Sequence, residues 1–239
     1  MKTEVIRWAD GQVIGERILE ATFDEWLTYI FERPDGELGT HWSFGEKIPY
    51  WEVDATITSR YVAQTYEESK TWTKRYSVKQ IADGISFTHS SSLGDVFAFF
   101  TDDAIPWDDR RRAIQAITTL YRDCFQILCE PGLSHLNECS KNPLNGVCYM
   151  FWDIFPIYGQ AEDKTLKERD DECLRVMERT LQIDHEACRE SSLHGLGHWA
   201  LSYRARASSI IEQSLKTVRK RLRPELLSYA DRAKSGNVL

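Results

Sequence analysis

The feature that most constrains the fold is a helical periodicity of apolar residues that continues from residue 103 almost to the last residue. In the first segment the apolar residues recur every three or four positions: Ile114, Ile117, Tyr121, Cys124 and Leu128. This spacing gives an α-helix one apolar stripe, and Pro131-Gly132 ends the run. Short connections separate several such segments, so we expect antiparallel helices that pack side by side.

Capping residues mark helix starts in both halves of the chain. Thr22 with Glu25, and Ser77 with Gln80, have the spacing of a capping box. Asn142 precedes Pro143, and Pro224 opens the last apolar run, which suits the first turn of a helix. A helix is also expected over 54–72, and Ser92 is expected to cap a short apolar helix.

These patterns predict an all-α fold, an α-solenoid-like stack of antiparallel helix pairs. One helical domain over 1–239 is the simplest organisation, with N-terminal helices and an aromatic loop in 1–102 and helix pairs in 103–239. Around Asp10-Gly11 two interpretations remain open. The segment forms a short β-hairpin, since Asp-Gly is a favoured two-residue turn, or it is an arm packed on helices.

Composition narrows the class of protein. The net charge of -7 and pI near 5.5 argue against a general nucleic-acid binder, which needs a basic surface. The N-terminus lacks the pattern of a signal peptide, and no apolar run reaches the ~18 residues that span a bilayer, so we expect a cytoplasmic protein without a membrane partner. The six cysteines contain no C-x-x-C pair and are expected to be reduced.

The segment 37–53, which follows a predicted turn at 34–36, has no periodicity but is rich in aromatic residues, among them Trp42 and Trp51. A connection of this length is uncommon unless it has a function or packs as a compact loop. Binding of a ligand or partner and packing of the rings on the core are equally consistent with the sequence.

Two stretches carry a resemblance to known proteins. Asn-Pro-Leu-Asn followed by Val-Cys-Tyr-Met and Trp-Asp (142–153), and Ala-Cys-Arg-Glu-Ser followed by Leu-His-Gly-Leu-Gly-His-Trp (187–199), resemble a family of uncharacterised bacterial proteins. Residues 188–201 are also similar to the second helix of a HEAT-type repeat, in which small residues allow tight stacking. The resemblance implies a bacterial source and a stacked helical fold, and it implies no activity.

On a helix through the second motif, Leu193, Leu196 and Trp199 share one arc, the expected core side. Glu190, His194 and His198 follow one another at four-residue intervals on the other side, and we expect this stripe to line an exposed concave face.

Two histidines at i and i+4 can chelate one metal ion, although this spacing is common by accident and Gly195 replaces the diagnostic glutamate. Three ligands along one helix would span about 12 Å, so a further ligand must come from elsewhere. His185, His135 and Cys139 are candidates that the sequence does not distinguish.

Asp153 interrupts an apolar helix near its C-terminal end, where the helix dipole disfavours an anion. It therefore faces solvent or has a specific partner, such as an arginine or Trp199, in a network that ties helices together. A nucleophilic cysteine is not indicated at Cys188, which lies on the expected core arc, whereas Cys139 in a polar loop is expected to be more exposed.

The leading hypothesis is a non-enzymatic protein-binding module, with a bacterial immunity or adaptor role as one form of it. Its partner would be another protein, and no cofactor is expected. The alternative is a metal-dependent hydrolase, with zinc held by His194 and His198. The candidate binding residues are Glu190, His194, His198, Trp199, Trp152, Asp153, Trp42 and Trp51.

Overall fold

A computed structural model describes residues 1–33, 41, 43 and 48–238. The chain is mostly helical, but it also contains a small three-stranded sheet at the N-terminus, so the all-α prediction is wrong there. The strands are β1 (Lys2–Arg7), β2 (Val13–Glu20) and β3 (Tyr50–Trp51). β1 and β2 form the antiparallel hairpin that Asp10-Gly11 indicated, with Gly11 in the left-handed region at φ 88°, and β3 adds to β2 in parallel.

Helices make up most of the other described residues, joined by turns and short 3-10 segments. Their bounds are α1 Phe23–Phe31, α2 Ala55–Glu67, α3 Ser69–Trp72, α4 Val78–His89, α5 Trp107–Leu120, α6 Gln126–Leu128, α7 Pro143–Ile154, α8 Lys167–Leu181, α9 Glu186–Lys216 and α10 Pro224–Ala233. A π-helical turn (Tyr121–Phe125) joins α5 to α6. Among the described residues, no helix combines the length and the apolar character needed to cross a membrane.

The predicted helix starts are largely confirmed. Both capping boxes form at Thr22 and Ser77, the Asn142 side chain accepts the N–H of Leu144, and Pro224 lies in the first turn of α10. Residues with a side-chain acceptor at the N-cap satisfy N–H groups that the helix itself leaves unpaired. These local patterns therefore fix where the helices begin.

Two boundaries differ from the prediction. The segment 54–72 forms two helices, because the backbone leaves helical geometry at Glu68 (φ -96°, ψ 15°). The short apolar element is a 3-10 helix (Val96–Phe100), which follows Asp95 rather than Ser92. The segments expected as separate helices around Leu196 and Ile210 follow one another directly in α9, where the non-helical backbone of Tyr203 (φ -121°, ψ 44°) separates two helices as predicted.

α9 lies at the centre of the C-terminal half, where α7, α8 and α10 all pack against it. Two glycines allow these close approaches: a Cβ on Gly195 would lie 2.6 Å from the Trp152 Cβ, and one on Gly197 would lie 2.3 Å from a Val238 methyl. α4 also contacts α7, and α2 contacts α5, whereas units of a solenoid contact only their neighbours in the chain. A HEAT-type stack stays a prediction.

The described part of the aromatic loop is attached to the core. The Trp51 indole donates to the Thr58 hydroxyl (3.0 Å), and its ring lies 4.7 Å from that of Trp26. The Tyr29 hydroxyl donates to the Pro49 carbonyl at 2.9 Å. For residues 48–53, these contacts favour the interpretation that the aromatic rings pack on the core. Trp42 and the predicted turn at 34–36 lie outside the described residues.

Candidate functional site

The histidine stripe of α9 does not line an open face. Every residue from 187 to 197 is buried, including Glu190 (0% exposed) and His194 (3%), so the prediction of an exposed concave surface is wrong for both. Leu193 and Leu196 are buried as expected, which means that α9 is covered on both sides. Sequence reasoning assumed that polar side chains face water, but distant parts of the chain supply partners for these.

His198 is the most accessible member of the stripe, and it meets Asp153 of α7. The Asp153 Oδ1 and His198 Nε2 atoms are 3.0 Å apart, and their side chains are 31% and 25% exposed. The His198 Nε2 also lies 3.2 Å from the His194 Nε2. Asp153 thus has the specific partner that its position in an apolar helix required, and that partner is His198 rather than an arginine or Trp199.

Asp153, His194 and His198 form a group of potential metal ligands. Within the part of the chain that the structure describes, it is the one trio whose ligand atoms all lie within 4.8 Å of one another. Atoms bound to one tetrahedral zinc at about 2.0–2.1 Å are about 3.3 Å apart. Two of the three separations in the group, 3.0 and 3.2 Å, are close to that value, and the third is within 4.8 Å. A carboxylate and two imidazoles suit zinc and several other first-row divalent metals.

The protonation state of His194 is compatible with a ligand role. Burial, together with the nearby His198, lowers the pKa of His194 to about 4, so the imidazole is neutral at physiological pH. Its Nδ1 lies 2.6 Å from the Tyr229 hydroxyl of α10. Burial raises the pKa of Tyr229 far above its usual range, so this hydroxyl keeps its proton. The Nε2 of His194 is therefore the ring atom that faces the other two candidate ligands.

Glu190 serves as an anchor on the far side of this network. Its carboxylate accepts the backbone N–H groups of Ser134 (2.8 Å) and His135 (3.0 Å), and it lies 2.5 Å from the His135 Nδ1. Burial raises the pKa of Glu190, and the hydrogen bonds from the loop oppose that shift. The His135 ring in turn stacks on Tyr229, with ring centroids 4.4 Å apart. Glu190 thus positions the loop behind Tyr229 and contacts neither Asp153 nor His198.

Two of the tryptophans predicted as binding residues, Trp152 and Trp199, are buried. They are 1% and 2% exposed, and the burial of Trp199 agrees with its place on the expected core arc. That either residue binds a partner stays a prediction. Trp152 packs against Gly195, and Trp199 packs beside Gly159. Trp51 is half-buried and hydrogen-bonded, as described above. Their function in the described structure is to hold the helices around the candidate site.

None of the three residues named as a further metal ligand joins the group. His135 is held by Glu190. His185 lies beside Cys188, whose thiol raises the pKa of the imidazole against the opposing effect of burial. Cys139 is buried (6% exposed), so its predicted exposure is wrong, and its thiol points to the Glu130 carbonyl. Cys188 is buried as expected, and all six cysteines are free thiols.

Sequence reasoning named Asp153, His194 and His198 but did not place the carboxylate with the histidines. It missed Tyr229 and Tyr149, whose hydroxyls are 3.2 Å apart at the side of His194. No local pattern marks these tyrosines. Gly195 and Gly197 could have indicated that the histidines are buried. They lie on different sides of α9, and a glycine in a helix often marks a close contact, so the pair implies that both sides of α9 are covered.

Comparison of the chain with protein-family models, curated proteins and solved structures finds no match.

Proposed function

We propose that the protein is a metal-dependent hydrolase whose metal ion is held by Asp153, His194 and His198. The observation that carries this proposal is the convergence of a carboxylate from α7 and two imidazoles from α9 within 4.8 Å. The two histidines are one helical turn apart, which lets their rings converge, and the packing of α7 on α9 adds the oxygen ligand.

The exposure of the three side chains supports a catalytic rather than a structural site. Asp153 and His198 are about one-quarter to one-third exposed, while His194 is buried behind them. Three protein ligands leave a coordination position for water, whereas structural zinc sites are closed by four. A bound divalent metal would lower the pKa of that water toward 7 and supply a nucleophile at neutral pH.

The test measures metal content and hydrolysis in the full chain. The protein is stripped with chelator, equilibrated with zinc, manganese, iron(II) or cobalt(II), dialysed and analysed for bound metal. We expect about one ion per chain in the parent, and loss of that ion in Asp153→Asn and His198→Gln. His185→Gln, a histidine near the start of the same helix but outside the group, is the matched control and should bind as the parent does.

Hydrolysis is assayed with ester, amide and phosphoester substrates before and after removal of the metal. Activity that disappears with the metal and returns on its addition supports the proposal. Equal metal content in the parent and in both ligand variants would contradict the assignment of the site. Metal binding without any metal-dependent turnover would limit the site to metal storage or structure.

A second proposal keeps the protein-binding function, with another protein as the partner. It does not draw on the histidine stripe, but on one face of the N-terminal sheet, where Val13 (53% exposed) and Tyr50 (57%) lie on either side of Gly15, and on Trp8 (61%) at the adjoining turn. Grouped exposed apolar residues of this kind often mark an interaction surface. HEAT-like stacking would not be needed for it.

The discriminating experiment captures partners on the parent chain and on a Trp8→Ser, Tyr50→Ser double variant. Asp153→Asn is the control, because it lies outside the hairpin. A purified partner that binds the parent and the control but not the double variant would support this proposal. Equal binding to all three would exclude the hairpin as the surface.

A further inference from the structure

The orientation of His194 is set by a chain of polar contacts that begins at Asp153. The Asp153 Oδ1 lies 3.0 Å from the His198 Nε2 as an ion pair. Because a carboxylate has no proton to offer, the proton at this contact belongs to the His198 Nε2. The same Nε2 lies 3.2 Å from the His194 Nε2, which must therefore be the acceptor of the pair. A neutral imidazole with an unprotonated Nε2 carries its proton on Nδ1.

That proton meets the Tyr229 hydroxyl oxygen, 2.6 Å away. The hydroxyl can then donate onward to the Tyr149 oxygen at 3.2 Å or to the Val238 carbonyl at 3.5 Å. Donors and acceptors thus alternate along the network without conflict. The same tautomer presents the Nε2 lone pair of His194 to a metal ion, so metal binding requires no change at Nδ1.

Tyr229 is buried, and both His135 and Arg232 contact its ring. It is 1% exposed, its ring stacks on His135 at an interplanar angle of 20°, and the guanidinium of Arg232 lies 5.1 Å from its ring centroid. The segment after α10 turns back at Gly236 (φ 81°), and Val238 then packs against Gly197. Gly197 lies between His194 and His198 in the sequence. Tyr229 is therefore a rigid acceptor for the proton on His194.

We propose that Tyr229 is a positioning residue for the metal centre. Its hydroxyl holds His194 in the Nδ1-protonated tautomer and aims Nε2 at the metal, and residues 236–238 hold that hydroxyl in place. The inference rests on the proposed metal site. Tyr229 does not touch the metal, and it acts through His194 alone.

The first measurement reads the tautomer in the parent chain without metal. Long-range proton–nitrogen correlation spectra of protein labelled with ¹⁵N-histidine distinguish Nδ1–H from Nε2–H rings. We expect His194 to be the Nδ1–H tautomer, identified by the loss of its signals in His194→Gln. An Nε2–H tautomer at His194 would overturn the inference even if metal binding is confirmed.

The second measurement compares Tyr229→Phe with Tyr149→Phe. Both substitutions remove one hydroxyl and keep the ring, but only Tyr229 contacts the His194 nitrogen. Loss of a partner that orients a metal-bound histidine costs about 10- to 100-fold in metal affinity. We therefore expect cobalt(II) and zinc affinity, measured by competition with a chelator, to fall by that factor in Tyr229→Phe and to stay within about threefold of the parent in Tyr149→Phe.

The visible absorption bands of bound cobalt(II) provide a readout that a general loss of stability would not move. They should shift in Tyr229→Phe and stay unchanged in Tyr149→Phe. Equal affinity and equal spectra in the two variants would refute the role of Tyr229 and leave the metal site intact. A parent chain that binds no metal would instead refute the proposed function, and the inference with it.

Discussion

Glu190→Gln tests whether the buried carboxylate is an anchor of the fold or a part of the metal site. In the structure the Glu190 carboxylate accepts two backbone N–H groups and faces the His135 ring nitrogen. Glutamine keeps the volume of the side chain but replaces one acceptor oxygen by an NH2 donor. At least one of the N–H groups of the 134–135 loop then faces a donor and loses its partner.

The expected cost follows from these contacts. A hydrogen bond to a charged group contributes about 1.5–3 kcal/mol, and leaving a buried donor unsatisfied costs about 1–3 kcal/mol. Loss of one such bond, with weakening of the others, should lower the free energy of unfolding by about 2–5 kcal/mol. The control is Glu186→Gln in the first turn of the same helix, where the side chain is 30% exposed and the change should be below about 1 kcal/mol.

The assay is urea unfolding at pH 7, followed by tryptophan fluorescence, with metal content measured on the folded variant. Because the hydrogen bonds of the Glu190 carboxylate go to Ser134 and His135 and not to a candidate ligand, folded Glu190→Gln should bind as much zinc as the parent. A free energy of unfolding within about 0.5 kcal/mol of the parent would refute the anchor role. A folded variant without zinc would show that Glu190 acts directly on the metal.

Three further outcomes are expected. Burial lowers the pKa of His89 to about 4, below the unfolded value near 6.5. The neutral imidazole therefore contributes its full stability above pH 6.5 and loses it as the pH falls toward 4. Between pH 7 and pH 4.5, the free energy of unfolding by urea should fall by about 2–3 kcal/mol less in His89→Phe than in the parent. Gly195→Ala brings a Cβ within 2.6 Å of Trp152 and should lower the free energy of unfolding by about 1–3 kcal/mol in the same urea assay. Its control is Gly146→Ala, where a Cβ would meet nothing within 4 Å, and this change should raise the free energy of unfolding by about 0.5–1 kcal/mol. Zinc at about 100 times its dissociation constant should stabilise the parent by about 2.7 kcal/mol, a rise of roughly 5–11 °C in Tm by calorimetry, and should have no such effect on Asp153→Asn.

The local features of this fold could be predicted because local residues determine them. The capping boxes at Thr22 and Ser77, the proline starts of α7 and α10, and the Asp10-Gly11 turn each depend on side chains within a few positions of the backbone groups that they satisfy. The break at Glu68 has no side-chain cap to mark it, and sequence reasoning missed it.

The same distinction explains the candidate site. The i and i+4 spacing of His194 and His198 is local, and it was recognised as a potential chelate. The burial of His194 and Glu190 is not local. His194 is covered by Tyr229, 35 residues later in the chain, and Glu190 by the 134–135 loop, more than 50 residues earlier. A polar stripe on a helix predicts a solvated face only when no other part of the chain supplies matching donors and acceptors.

The crossing of α7 and α9 provides a physical reason why the three candidate ligands meet where they do. The absence of a side chain at Gly195 lets α9 pack closely against Trp152, the residue before Asp153. The Asp153 carboxylate therefore lies beside the turn of α9 that follows Gly195. His198 lies one turn after His194, and at that level its ring reaches Asp153. A larger side chain at position 195 would separate the helices and with them the ligand atoms, since the His198–Asp153 pair bridges that contact. The glycine that stabilises the packing is therefore also the residue that sets the distance between the carboxylate and the imidazoles.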